Sequence, residues 1–172
     1  SIPFSYEAPE LFVDTNMGGT LNVLKAANEV GIEKFVHTST SEVYGSAQYV
    51  PIDENHPLSA QSPYAASKVG ADQLALAYYR SFDLPVTVVR PSHTLRSRFP
   101  GGIGSGDDWA WRIRTGRPVI AHGDGTSLWT ITHSADFAVA FCNLLGKQGA
   151  LGEAFHVTRH MESWPWNDIL AA

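Results

Sequence analysis

Ser62-Pro63-Tyr64-Ala65-Ala66-Ser67-Lys68 is the stretch on which the reading of this chain turns. A serine able to accept a backbone N–H, followed by a proline that suits the first helical turn, marks the start of a helix. Four-residue spacing then sets Tyr64 and Lys68 one above the other on a single helical face. A free phenol has a pKa of about 10, so a neighbouring cation must stabilise its phenolate before it can act as a base at neutral pH. The spacing by itself is weak, because Tyr-x-x-x-Lys arises by chance in many helices. Its weight comes from the flanking sequence.

Upstream, Lys34-Phe35-Val36-His37-Thr38-Ser39 is apolar and β-branched, and it passes through Thr40-Ser41-Glu42 to Gly45. This reads as a buried strand with a polar C-terminal end. In open parallel sheets ligands gather outside the carboxyl ends of the strands, so Thr40 and the Tyr64/Lys68 helix are expected to face one site. Outward from there the pattern alternates. It predicts a helix over 14–29 stopped by Gly31, the long helix over 63–82, and a strand over 86–90 after Pro85. Further on come a helix over 107–115, a short strand over 119–122, and a Gly123-Asp124-Gly125 turn. An apolar helix over 134–145 capped by Ser134 follows, then a strand over 155–158. Such alternation implies an α/β layer arrangement with parallel strands. The proline-rich, polar loop over 46–61 is expected to border a substrate site.

At 172 residues, 44% hydrophobic and 17% charged, the chain can bury a real core. Its formal charge of −5, without a Lys/Arg run, argues against nucleic acid or an anionic membrane as partner. No stretch approaches the length of a membrane span. Cys142 is the single cysteine; it suits a reducing cytoplasm and is expected in the core of its apolar helix. His93, His122, His133, His156 and His160 lack the spacing of a metal site and are expected as core or edge residues, so no metal is expected. The run over 101–106 is glycine-rich but follows Phe99-Pro100 rather than a strand, which makes it a loop rather than a phosphate cradle.

Thr40, Tyr64 and Lys68, with Ser39-Thr40-Ser41-Glu42-Val43-Tyr44-Gly45 around the first, resemble the catalytic strand and helix of the extended short-chain dehydrogenases/reductases, the NAD-dependent epimerase/dehydratase family. Asp14-Thr15-Asn16-Met17-Gly18-Gly19-Thr20-Leu21 resembles that family's Asn-x-x-Gly-Thr-x-x-Leu helix, and Val89-Arg90-Pro91 its following strand end. The resemblance implies the C-terminal part of a Rossmann-like doubly wound parallel sheet plus part of a small substrate-binding lobe. Residues 1–95 would form a partial NAD-binding domain and 96–172 a mixed segment of lobe and returning Rossmann elements. Ser1 to Tyr6 reads as a loop after a strand, and the family's glycine-rich turn is not seen; the chain is therefore expected to be a fragment, inactive alone and cut within its last helix.

The same resemblance implies NAD as cofactor, a nucleotide-linked sugar as substrate, a cytoplasmic setting and a homodimer at full length. Tyr64 would take the proton of a sugar hydroxyl, Lys68 would bind the nicotinamide ribose and lower the phenol's pKa, and Thr40 would hydrogen-bond the reacting oxygen. Asn16, Pro91 and Ser92 would support the cofactor. Ser41-Glu42 stands where 4,6-dehydratases typically carry Asp-Glu. Glu42 keeps a base for the C5 proton, whereas Ser41 is a poor acid without help. Glu42 read blandly is a strand-end carboxylate. Thr-Ser-Glu is also similar to UDP-glucuronate decarboxylases, so decarboxylation or epimerisation stays open beside dehydration, as does a noncatalytic relative.

The second half departs from the pattern. His93 replaces an asparagine near the substrate phosphate, and Trp129 stands where an arginine clamps the diphosphate, which removes a bidentate cation. Arg112, Arg114 and Arg117 either compensate or, as favoured, form a solvated helix end. Residues from about Ser92 onward resemble a less characterised branch, which fits divergence of specificity, a mosaic sequence or an assembly artefact alike. The five tryptophans are expected to pack against protein rather than bases.

Overall fold

The computed structural model of the chain describes residues 2–96, 106–121, 123–159 and 162–171. The glycines and serine at 101–105, His122 and His160 lie outside the described residues. Two compact units emerge, one of Ser1–Pro91 with Ala140–Val157, the other of Ser92–Val139 with Thr158–Ala172.

The first unit is helical from its start. Short helices α1 (Phe4–Glu7) and α2 (Pro9–Phe12) run into a π-helical turn, Val13–Gly18, and then into α3 (Gly19–Val30). The loop expected over the first six residues is therefore corrected to a helix from Phe4. Glu7 and Glu10 in the two first turns favour that conformation by opposing the helix dipole. α3 ends at Gly31, whose φ of 70° is left-handed.

Strand β1 (Phe35–Thr38), helix α4 (Pro63–Phe82), β2 (Val86–Pro91) and β6 (Ala154–Val157) complete this unit. β2 lies between β1 and β6, parallel to both, with Phe35 opposite Val86 and Val88 opposite Ala154. Among the described residues β1 is paired on one side only. β2 is buried over five successive residues, as a central parallel strand covered on both faces must be. Leu24 and Ala27 of α3, Ala75 and Leu76 of α4, and Leu84, Val86 and Val88 form the core. Small residues on α4, Ala65, Ala71 and Ala75, let it approach closely.

The second unit holds β3 (His93–Leu95) paired parallel to β5 (Ile131–His133), and β4 (Leu128–Trp129) paired antiparallel to β7 (Trp164–Pro165), with α5 (Gly106–Arg114) and α7 (Trp166–Ala171). Trp109 and Trp166 are buried edge to face, 5.8 Å apart. Trp111, on the other side of α5, is exposed under the Arg117 guanidinium, and Arg112 Nε donates to the Pro118 carbonyl at 2.7 Å.

Three local expectations are corrected. Residues 119–121 form no strand; Ile120 is exposed and the segment has no pairing partner among the described residues. The first turn of α6 (Ser134–Leu145) is capped by His133 Nδ1, which accepts from the Ala135 N–H at 3.2 Å, rather than by Ser134. Cys142 is exposed. The inward stripe of α6 is Phe137, Phe141 and Leu144, and Cys142 falls one residue off it.

Leu24 is completely buried and Val30 is 78% exposed. Leu24→Ala is expected to cost about 2–5 kcal/mol and Val30→Ala less than about 0.5 kcal/mol, read from urea unfolding midpoints at unchanged slope.

Candidate active site

The site is built where β1 ends. Thr40 is extended and its Oγ1 accepts the Glu42 N–H at 3.2 Å, turning the chain into the 3-10 turn Ser41–Tyr44. That turn closes on Gly45, with φ of 66°; a side chain there would overlap the Ser59 carbonyl oxygen. Val43 and Tyr44 are buried beneath the turn, so Ser41 and the exposed Glu42 are held outward.

α4 starts as its sequence indicates. Ser62 Oγ accepts the Ala65 N–H at 3.0 Å, and Pro63 occupies the first turn. Tyr64 is half-buried, its ring edge-on to Phe12 at 6.0 Å. One turn on, Lys68 Nζ donates to the Thr38 carbonyl at 2.7 Å, which ties the helix to the end of β1. Burial lowers the Lys68 pKa and the Asp72 carboxylate opposes that shift. Asn16 joins from the π-helical turn: its Nδ2 donates to Ser67 Oγ at 2.9 Å, and Ser67 Oγ donates to the Tyr64 carbonyl at 2.7 Å.

A cleft of about 290 Å³ opens beside the turn, lined by Glu42, Gly45, Ser46, Gln61, Ser62, Ala65, Ile2 and Tyr6. The loop expected to border a substrate site contributes Ser46 and Gln61, and Gln61 Nε2 donates to Ser46 Oγ at 2.8 Å. Tyr6 was not anticipated. Its hydroxyl donates to the Gln61 carbonyl at 3.1 Å, and only the helix at Phe4–Glu7, unread in the sequence, brings it there.

Sequence reasoning also missed a buried charge cluster. Asp72 is fully buried, and its Oδ2 accepts from Arg90 Nε at 3.1 Å. Arg90 Nη1 donates to the Tyr44 hydroxyl at 3.1 Å, and its guanidinium lies 5.1 Å from that ring's centre. His37 Nε2 is 3.2 Å from Asp72 Oδ1, off the line of a hydrogen bond. The readable signal was Asp72 itself, four residues beyond Lys68 on one helical face.

Pro91 ends β2 in the first unit. In the second, Ser92 and Thr132 share a buried hydroxyl–hydroxyl hydrogen bond of 2.6 Å. His93 packs edge-on against Trp129 at 5.1 Å, and Trp129 against Trp166 at 5.2 Å. Burial lowers the His93 pKa.

Residues 1–162 match the family model described as GDP-mannose 4,6 dehydratase. Over 147 residues the chain is 39% identical to a dTDP-glucose 4,6-dehydratase of Actinoplanes sp., covering 85% of this chain and 45% of that protein. DesIV, a dTDP-glucose 4,6-dehydratase from Streptomyces venezuelae solved as a double mutant with NAD bound, matches with a TM-score of 0.84 at 28% identity, over 99% of this chain and 52% of that one. TunA, an NAD-dependent NDP-hexosamine 5,6-dehydratase of tunicamycin biosynthesis, gives a TM-score of 0.84 at 29% identity, over 99% and 55%. The chain thus spans about half the length of the relatives it matches.

Ser62→Ala should cost about 1 kcal/mol and speed amide exchange at Ala65 and Ala66 while leaving the C-terminal half of α4 protected. Burial lowers the pKa of both His93 and His156 from 6.5. The unfolded chain then binds more protons below about pH 6.5, so stability is full above that pH and falls as pH drops through it. Thermal melts across this range should show the loss, and His93→Gln should make it smaller.

Proposed function

The chain belongs to the GDP-mannose 4,6 dehydratase family, and from that premise we propose that it forms the catalytic part of an NAD-dependent sugar-nucleotide 4,6-dehydratase. The observation that carries this reading is the cleft in which Glu42 lies beside Ser62 and Ala65, the residues that flank Tyr64 at the start of α4. The reading takes Tyr64, which is not among the cleft's lining residues, as the base for oxidation and Glu42 as the base for elimination.

The residues present fit the cofactor. An ammonium has three donors and Lys68 spends one on the Thr38 carbonyl, leaving two for ribose hydroxyls. NAD, when bound, accepts a hydride from the sugar and returns it. Tyr64 takes the proton of the C4 hydroxyl, helped by the Lys68 charge, while Thr40 donates a hydrogen bond to the oxygen that becomes the 4-ketone. The ketone acidifies C5–H, and Glu42 removes that proton. The C6 hydroxyl then departs as water, taking a proton relayed from solvent through Ser41 and an intervening water, since a serine alone is a weak acid, and Tyr64 releases to solvent the proton it took from the C4 hydroxyl. Glu42 returns its proton to C5. The sum is loss of one water with no net redox change. Asn16 acts at a distance by holding Ser67 and through it the Tyr64 backbone.

The substrate class is a nucleotide-linked sugar, and DesIV and TunA support that choice. Pro91, the last residue of β2, and Ser92 after it would support the cofactor, and His93 and Trp129 would belong to substrate recognition. Trp129 offers stacking and one N–H in place of a guanidinium, which suits a sugar or base better than a diphosphate. A homodimer in the cytoplasm completes the proposal; among the described residues no helix is long and apolar enough to cross a membrane.

The test uses the whole protein, expressed from its complete coding sequence, with a panel of UDP-, dTDP- and GDP-sugars. A product lighter by one water supports dehydration, loss of carbon dioxide points to decarboxylation, and an unchanged mass to epimerisation. Absence of NAD binding by titration calorimetry overturns the enzyme reading. Tyr64→Phe should keep NAD binding and lower turnover by about 10²- to 10⁴-fold.

A further inference from the structure

The segment over 46–61, which supplies Ser46 and Gln61 to the cleft, is closed by one side chain that takes no part in the reaction. His56 is 2% exposed, and both of its ring nitrogens meet backbone groups. Nε2 lies 2.9 Å from the Gln48 nitrogen, whose N–H can only donate. Nδ1 lies 2.9 Å from the Pro57 carbonyl oxygen, which can only accept. One form of the imidazole satisfies both: the neutral ring with its proton on Nδ1 and Nε2 bare. Two tyrosines flank that ring. Tyr49 lies 4.8 Å away, its own hydroxyl donating to Asp53 Oδ1 at 2.8 Å, and Tyr44 of the 3-10 turn stands edge-on at 5.7 Å.

The segment closed in this way is joined to the turn that presents Glu42. The Ser59 N–H donates to the Val43 carbonyl at 2.9 Å, and the Ser59 carbonyl passes so close to Gly45 that no side chain fits between them. Farther along, Glu54 Oε1 accepts the His156 N–H of β6 at 2.9 Å. We propose that His56 is a positioning residue: as the Nδ1–H tautomer it clips Gln48 to Pro57 and so sets the rim of the cleft beside Glu42. It touches neither substrate nor cofactor and acts through the segment it closes. A phenyl ring at this position keeps the packing between Tyr44 and Tyr49 but offers the Gln48 N–H and the Pro57 carbonyl no partner. The role rests on the reading of the cleft as the sugar site given above, while the clip itself is measured without substrate.

The test uses the whole protein, labelled with nitrogen-15 histidine, with the His56 signals identified by their loss in His56→Phe. Above neutral pH, Nε2 is expected at the chemical shift of a bare, pyridine-type nitrogen and Nδ1 at that of a protonated one. His56→Phe should speed amide exchange at Gln48 and Ser59 by about 3- to 10-fold, the effect of one lost hydrogen bond, and leave Leu24 and Ala27 of α3 unchanged. His56→Gln, whose side-chain oxygen reaches the place of Nε2, should return the Gln48 amide toward its original rate. With the UDP-, dTDP- and GDP-sugars as probes, His56→Phe should raise the KM of whichever is turned over by about 10-fold while kcat moves less than about threefold, and His56→Gln should reverse much of that rise. The opposite tautomer, a doubly protonated ring above neutral pH, or unmoved Gln48 and Ser59 amides in folded His56→Phe overturns the proposal. Faster exchange with KM unmoved overturns it equally, since the rim would then not depend on the clip. Should His56→Phe fail to fold, the ring signals of the unsubstituted protein and the exchange and KM of His56→Gln decide the matter. Failure to bind NAD or to turn over any sugar strikes the enzyme reading instead, and the tautomer and exchange results still decide whether His56 closes the segment.

Discussion

The buried pair of Asp72 and Arg90 is the constraint around which the first unit is arranged. It joins α4 to β2, reaches Tyr44 in the 3-10 turn through a second guanidinium N–H, and faces His37 on β1. Removing one partner of such a pair typically costs about 3–5 kcal/mol, because the other charge is left without compensation. Four segments far apart in sequence are thus locked to one another at the carboxyl end of the sheet. Hydrophobic burial alone is non-directional and would tolerate a slip of α4 along the strands; a fork of fixed donors does not.

That locking sets what the local chemistry can be. The strand ends, the turn and the helix start are each satisfied by their own backbone contacts: Thr40 caps the turn, Ser62 caps the helix, and Lys68 bridges to the Thr38 carbonyl. The Glu42 backbone holds the turn through its N–H and carbonyl, while its side chain is left at the cleft. In the second unit the aromatic rings of Trp109, Trp129 and Trp166, with His93, form a packed chain. The tryptophan at position 129 therefore has a packing role there.

Much of the α/β order was legible because its signals are local. Ser62-Pro63 gave the first residue of α4, Gly31 the end of α3, and the β-branched runs gave β1 and β2 to within a residue or two. The family likeness read from Thr40, Tyr64, Lys68 and Asn16 agrees with the match over residues 1–162, and the Rossmann-like parallel sheet agrees with the solved relatives. What escaped depends on partners distant in the chain. The pairs β3 with β5 and β4 with β7 are two or three residues long and carry no periodicity of their own. Tyr6 reaches the cleft through a helix of four residues, too short for a pattern. Cys142 looked interior because its helix is apolar all round, and only the packing distinguishes the inward stripe from the outer face.

β1 lies at the edge of the three-stranded sheet, with β2 on one side only. Among the described residues its other side has no paired strand, and the Lys68 ammonium holds the last carbonyl of β1. A strand supplied alongside it would extend the sheet by the same backbone pairing that joins β1 to β2.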